Sequence, residues 1–210
     1  MRKQKKSEEI ILDNYQKIGI LASIITFSGI FGWLYEFIFY YFNSGMKEFY
    51  MRGGNFLPWI NIYAYGALLI IFLTYKRKDH PLQVFLISAI STGILEYFSG
   101  YVLYDILGLT RCWSYNEEIL NFGNIGGYVC LRSVLFFGLS GLFLIYGILP
   151  MLFYVAQNIN TRVFFIVSVT LCSIILIDEV YNLIFTELFN LPYASDIYKD
   201  MGIKYIYFYK

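Results

Sequence analysis

Ionisable residues stand well inside stretches otherwise suited to hydrocarbon: Glu36, Glu96, Arg132, Asp178 and Glu179, with Asp105 nearer a wet end. A charge at the centre of a bilayer costs ~2.5–3.5 kcal/mol on insertion scales, so one kept there faces protein or a water-filled cavity. Such residues are candidates for ligand, ion or proton chemistry. One arginine cannot neutralise four carboxylates, and a desolvated carboxylate without a partner takes up a proton. Charge balance therefore predicts Arg132 paired with Glu96 or Glu36. Glu36, Glu96, Asp178 and Glu179 are the candidates for proton coupling. Arg52 and Arg111, on intervening polar stretches, are further partners, and Trp113 and Tyr115 suit either a cavity cap with a cation–π contact or an interfacial anchor. The bland reading makes all these charges interhelical ties. Such hydrogen bonds average only ~0.6 kcal/mol in membranes, which makes charge an inefficient way to gain stability.

Apolar runs must position these groups. They lie at about 18–42, 59–75, 82–107, 125–149 and 162–189, and about 20 mostly apolar residues suffice to span a bilayer as a helix. The expected fold is an all-α polytopic bundle of about five spans. Residues 1–17 form a basic N-terminal segment, 18–189 one transmembrane domain, and 190–210 an aromatic interfacial tail with Tyr193, Tyr198, Tyr205, Tyr207 and Tyr209. Pro150 is expected to end the fourth span. Glu36 lies three residues after Trp33, with Gly29 and Gly32 leaving room for a neighbouring helix. Glu96 shares a stripe with Ser88, Thr92 and Gly100, and Glu179 one with Cys172, Asn182 and Thr186. Lysine and arginine are densest before span one and at Lys76, Arg77 and Lys78, which predicts a cytoplasmic N-terminus and puts the polar stripes on the outer side.

Composition agrees: 58% of residues are hydrophobic, 21% aromatic and 15% charged, against ~25% charged in soluble domains. A net charge of +1 gives no reason to expect nucleic acid. Cys112, Cys130 and Cys172 form no C-x-x-C pair and His80 is the lone histidine, so neither metal nor cofactor is expected. The first apolar run is too long for a cleavable signal peptide. No phosphate loop, G-x-S-x-G or H-E-x-x-H occurs, so the chain reads as no enzyme and has no ATP site of the Walker kind.

Several blocks carry a resemblance. Gly32-Trp33-Leu34-Tyr35-Glu36 is followed by Arg52-Gly53, Pro58 and Tyr63-Ala64-Tyr65-Gly66. Then come Leu95-Glu96-Tyr97 with Gly100, Arg111-Cys112-Trp113-Ser114-Tyr115, and Gly127 to Leu131 with Ser133. In this order and spacing, over about residues 31–150, the chain resembles the bacterial membrane family of ABC-transporter type IV proteins, the CmpB-like permeases. Asn61, Ala64 and Ser114 depart from the family's usual Pro, Gly and Asp, and Tyr128 stands where a basic residue is common. The resemblance implies transport in a bacterial inner membrane. Buried charges, polar stripes and these motif positions together make Trp33, Glu36, Arg52, Tyr63, Glu96, Tyr97, Arg111, Trp113, Tyr115 and Arg132 the candidate site.

The leading expectation is a permease or substrate-binding membrane subunit with an outward-facing polar cavity. Its partners would be the bilayer, a separate ATPase subunit and a second copy of the chain. The alternative is a non-transporting sensor, scaffold or assembly protein with structural charges. A third class, an intramembrane enzyme acting on lipid, requires a cavity open sideways to the bilayer.

Overall fold

The structure, a computed structural model, describes residues 12–47, 49, 51–108 and 113–204. The basic start of the chain, Arg111, Cys112 and the tail residues Tyr205, Tyr207 and Tyr209 lie outside the described residues. Helix α1 (Asn14–Asn43) is followed by α2 (Asn61–Thr74) and α3 (Pro81–Tyr101), which a π-helical turn carries on to Ile106. The fourth pass is α4 (Leu131–Phe143), a π turn over Leu144–Ile148, and α5 (Leu149–Asn158). The fifth is α6 (Thr161–Val180), a π turn over Tyr181–Phe185, and α7 (Thr186–Phe189). A short α8 (Ala194–Asp200) closes the described chain. Among the described residues, four helices are long and apolar enough to cross a membrane: 14–43, 81–106, 131–158 and 161–185. The second pass, α2, has 14 residues, or ~21 Å at 1.5 Å per residue.

The helix starts follow local chemistry. Asp13 and Gln16 form a capping box, and Gln16 Nε2 also donates to the Ala156 carbonyl at 2.7 Å, tying the start of α1 to α5. Asn160 caps α6 through the Arg162 and Val163 amides. Pro81 opens α3, where its missing N–H costs nothing. The fourth span departs from expectation. Residues 125–130 belong to a loop that folds back on itself, with the Ile125 amide donating to the Val129 carbonyl at 2.9 Å. Helix begins only at Leu131, which places Arg132 in the first turn rather than about two turns inside. Pro150 does not end the span; the π turn just before it absorbs the irregularity, and helix continues to Asn158.

Helix α1 packs on α6 and α2, α2 on α3, and α3 on α4; α5 reaches α1 and α6. Small residues let the backbones approach. A Cβ on Gly32 would lie 2.1 Å from the Tyr63 ring, and one on Gly141 2.2 Å from Ser88 Oγ. The bundle has two unlike ends. Around α5 the core is dry, built from Ile20, Ile24, Val84, Leu149, Leu152 and Phe164 among others. At the opposite end lie the loops 44–60 and 107–130 and the tail, where the Met51 amide donates to the Lys204 carbonyl at 2.9 Å. Large apolar side chains such as Phe72 and Leu139 stand exposed on the outside, as lipid contact requires and water would not tolerate in such number.

Candidate functional site

At the loop end, charged and aromatic groups from four helices and both loops join in one chain of contacts. Arg52, from the first loop, donates through Nε to Glu36 Oε2 at 2.8 Å, and the Tyr63 hydroxyl of α2 donates to Glu36 Oε1 at 3.2 Å. The Arg52 guanidinium lies 3.6 Å from the centre of the Tyr40 ring. Tyr40 donates its hydroxyl to Glu118 of the second loop. Arg132 then donates to Glu118 Oε2 through Nη2 at 2.6 Å, and its guanidinium sits over Phe39 at 4.0 Å and Tyr115 at 5.3 Å. Tyr115 donates its hydroxyl to Glu96 Oε1, and Ser133 Oγ lies 2.7 Å from Glu96 Oε2.

Helical spacing explains the first link: Tyr40 is four residues after Glu36, so both face the same side of α1. The electrostatics separate two kinds of carboxylate. Glu36 and Glu118 each meet a guanidinium, whereas Glu96, among the described residues, meets hydroxyls. Burial pushes the Glu118 carboxyl above its usual range, with the Tyr40 hydroxyl and Arg132 pulling the other way. Burial, with the Glu96 carboxylate beside it, also holds the Tyr115 phenol well above its usual range, so it remains a proton donor. The arrangement can move a proton between hydroxyls and carboxylates, or exchange an internal ion pair for contacts to a charged solute. No group of three or more metal-ligating side chains occurs among the described residues.

The structure thus brings together Glu36, Arg52, Tyr63, Glu96, Tyr115 and Arg132. The pairing of Arg132 is corrected: its partner is Glu118, not Glu96 or Glu36. Glu118 and its exposed neighbour Glu117 look alike in the sequence, and only the fold of the second loop tells them apart. Tyr40 was legible as the i+4 neighbour of Glu36. Trp113 and Tyr97 pack nearby, in an aromatic group around Tyr128. Trp113 Nε1 donates to the Tyr128 carbonyl at 2.9 Å, and the Tyr97 and Tyr128 rings meet edge-on at 5.5 Å. Trp33 stacks on Phe37 with ring centres 5.0 Å apart, and its buried Nε1 has no acceptor among the described residues.

Asp178 and Glu179 do different work. Asp178 accepts the Phe56 and Leu57 amides at 3.0 and 2.7 Å and the Asn182 side-chain amide at 2.9 Å. Glu179 accepts from Asn55 at 2.7 Å and Asn61 at 2.5 Å. Apart from Asn182 these donors are spread over the first loop and the start of α2, so the two carboxylates anchor the segment that carries Arg52. Asp178→Ala should orphan two loop amides, at about 1–3 kcal/mol for each buried group left unsatisfied. Limited proteolysis is expected to cut the variant within 53–58 far faster than the parent, whereas Asp178→Asn, which keeps an acceptor oxygen, should be intermediate.

No curated protein and no solved structure matches the chain. A family described as Putative ABC-transporter type IV matches residues 23–183. That stretch contains α2 to α6 whole, most of α1, and every residue of the contact chain. On that match, this multi-pass membrane protein belongs to the ABC-transporter type IV family.

Proposed function

We propose that the chain is the membrane-spanning, substrate-recognising subunit of a transporter, and that the contact chain at its loop end is the substrate site held closed. The carrying observation is that the ion pairs Glu36–Arg52 and Glu118–Arg132 each join a helix to a loop. A solute that replaces either internal partner frees a loop from the bundle, which couples recognition to opening. In this reading the loop end faces outward from a bacterial plasma membrane, which the basic Lys76, Arg77 and Lys78 after α2 support. Energy comes from an ATPase on a separate chain, or from a proton taken up at Glu96, the carboxylate bonded to hydroxyls. Trp33 completes the mouth of the open site, and Arg111, expected there from the sequence, lies outside the described residues.

The experiment is a thermal-stability screen of the purified chain against amino acids, short peptides, inorganic anions and metal cations. A solute present at 100 times its dissociation constant stabilises the folded state by about 2.7 kcal/mol, a readable rise in the midpoint. At least one solute class is expected to raise the midpoint of the parent, and Glu96→Gln is expected to abolish the rise. An undiminished response in both Glu36→Gln and Glu96→Gln would remove the site. Substitutions that lower the midpoint of a parent deaf to the whole panel would favour the scaffold reading, which the loop-anchoring roles of Asp178 and Glu179 already illustrate.

A further inference from the structure

The bundle is not closed all the way round. The outer half of the fourth span, α4, packs closely on α3, whereas its inner half, α5, packs on α1 and α6. Between α1 and α4 the wall is made of rings. Tyr35 stacks on Phe136 with centres 3.8 Å apart, and Phe31 bridges to Phe136 at 6.4 Å and to Phe143 at 6.2 Å. Behind this seam lies a cavity of about 80 Å³ lined by α1, α2 and the fourth span, with Ala67, Phe137 and Tyr63 on its walls. Its aromatic rim faces the bilayer, since Phe31 and Phe143 are 43% and 54% exposed. The same Tyr63 whose ring lines the cavity donates its hydroxyl to Glu36. Above the seam, in the first turn of α4, Arg132 has a buried Nε–H with no acceptor among the described residues.

We infer that this cleft is a binding site for one acyl chain of a bilayer lipid, entering sideways between α1 and α4, with an anionic headgroup oxygen accepting from Arg132 Nε. Chemistry and place select the occupant. Apolar cavities of this kind stay dry, and one of ~150 Å³ accepts a benzene-sized apolar guest; this one, at about 80 Å³, admits a few methylenes until the rings turn aside. Phe31, Tyr35 and Phe136 can swing about their side-chain torsions without breaking a backbone hydrogen bond, so the seam opens as a slot rather than by parting helices. Both helices cross the membrane, so acyl chains are what stands at the opening. An unpartnered guanidinium N–H suits a phosphate oxygen. This site goes beyond the transport reading and needs no transport to be occupied.

The test uses the full chain reconstituted in phosphatidylcholine vesicles with tracer phosphatidylglycerol carrying a photoreactive diazirine in mid-chain. Photolysis and peptide mapping should place adducts on Ala67 and Phe137, which are 6% and 7% exposed and screened from bulk lipid. Ser140→Phe, which fills the cavity, should cut these adducts severalfold and leave labelling of the exposed α6 residue Ile177 unchanged. If Ser140→Phe does not elute as a folded species, Ser28→Leu on the facing wall is judged by the same criterion. Adducts confined to exposed positions, or undiminished in the filled cavity, overturn the site. Tracer phosphatidylcholine is expected to label Ala67 and Phe137 several times less than phosphatidylglycerol; equal labelling overturns the Arg132 headgroup contact.

Discussion

Arg132→Met is expected to lose more stability at about pH 8 than at about pH 5, and adding Glu118→Gln should restore most of the loss. Removing one partner of a buried ion pair costs about 3–5 kcal/mol, because the other charge is left without compensation. Here the two partners differ in what they can do next. An arginine does not lose its proton in a protein, but a glutamate can gain one. The Glu118 carboxyl already sits above its usual range because of burial, and Arg132 is among the groups pulling it down. A raised carboxyl contributes its stability in full at acid pH and loses it as pH rises through the folded-state value. Without Arg132 the carboxyl moves further up, so the loss on raising the pH grows. Glu118→Gln abolishes the titration. Alone it should be the milder change, because Arg132 keeps the Ile119 carbonyl and the faces of Phe39 and Tyr115 as partners. Thermal midpoints of the four proteins across this pH range give the cycle directly; equal losses for Arg132→Met at both ends of the range would show that Glu118 does not titrate there.

Gly29→Ala should be among the most damaging single-methyl changes in the chain, and Gly66→Ala among the best tolerated. A Cβ on Gly29 would fall 2.0 Å from Trp59 Nε1 and 2.3 Å from Cδ1. Trp59 is only 1% exposed, and its indole N–H donates to the Ile25 carbonyl at 3.1 Å, so it has nowhere to go. The Ile60 amide also donates to the Gly29 carbonyl at 3.1 Å, so moving α1 away breaks the entry to α2. Overpacking of this kind costs about 1–3 kcal/mol and sometimes more. On Gly66 the added Cβ would meet Phe137 and Thr92 at 3.8 Å each, ordinary contact. There the gain in helix propensity, up to about 1 kcal/mol, should hold the midpoint level or raise it. Thermal unfolding with tryptophan emission as the second readout separates the cases: Gly29→Ala should lower the midpoint and shift the emission of the displaced indole.

Much of this was legible in the residues. Length and apolarity of the runs gave the helical membrane fold, and the cost of intramembrane charge singled out Glu36, Glu96 and Arg132, which meet in one contact chain. Arg52 was recognisable as a partner because a loop arginine next to a lone buried carboxylate has an electrostatic reason to fold inward. What could not be read depended on loop conformation. Glu118 became the partner of Arg132 because the turn through Gly126 and Gly127, at φ of 63° and 81°, returns the second loop over the helix ends. At Asp178 and Glu179 the apolar setting is visible in the sequence, whereas their donors, the amides of residues 55–57, are distant in sequence and are not. The fourth helix starts later than its apolar run because the backbone of Ile125 to Cys130 forms a bridged turn.

The π turn over Leu144–Ile148 has a consequence for how one span serves two sets of neighbours. Each residue advances an α-helix by about 100°, so a single inserted residue turns everything beyond it by roughly that angle. The fourth span accordingly has two azimuths, one presenting α4 to α3 and one presenting α5 to α1 and α6. A straight helix with one continuous apolar stripe would have to choose. The offset acts as a swivel set into the rod: it fastens the inner half against the first and last spans while the outer half turns to α3, and the ring-lined slit opens beside α1 where the two azimuths part.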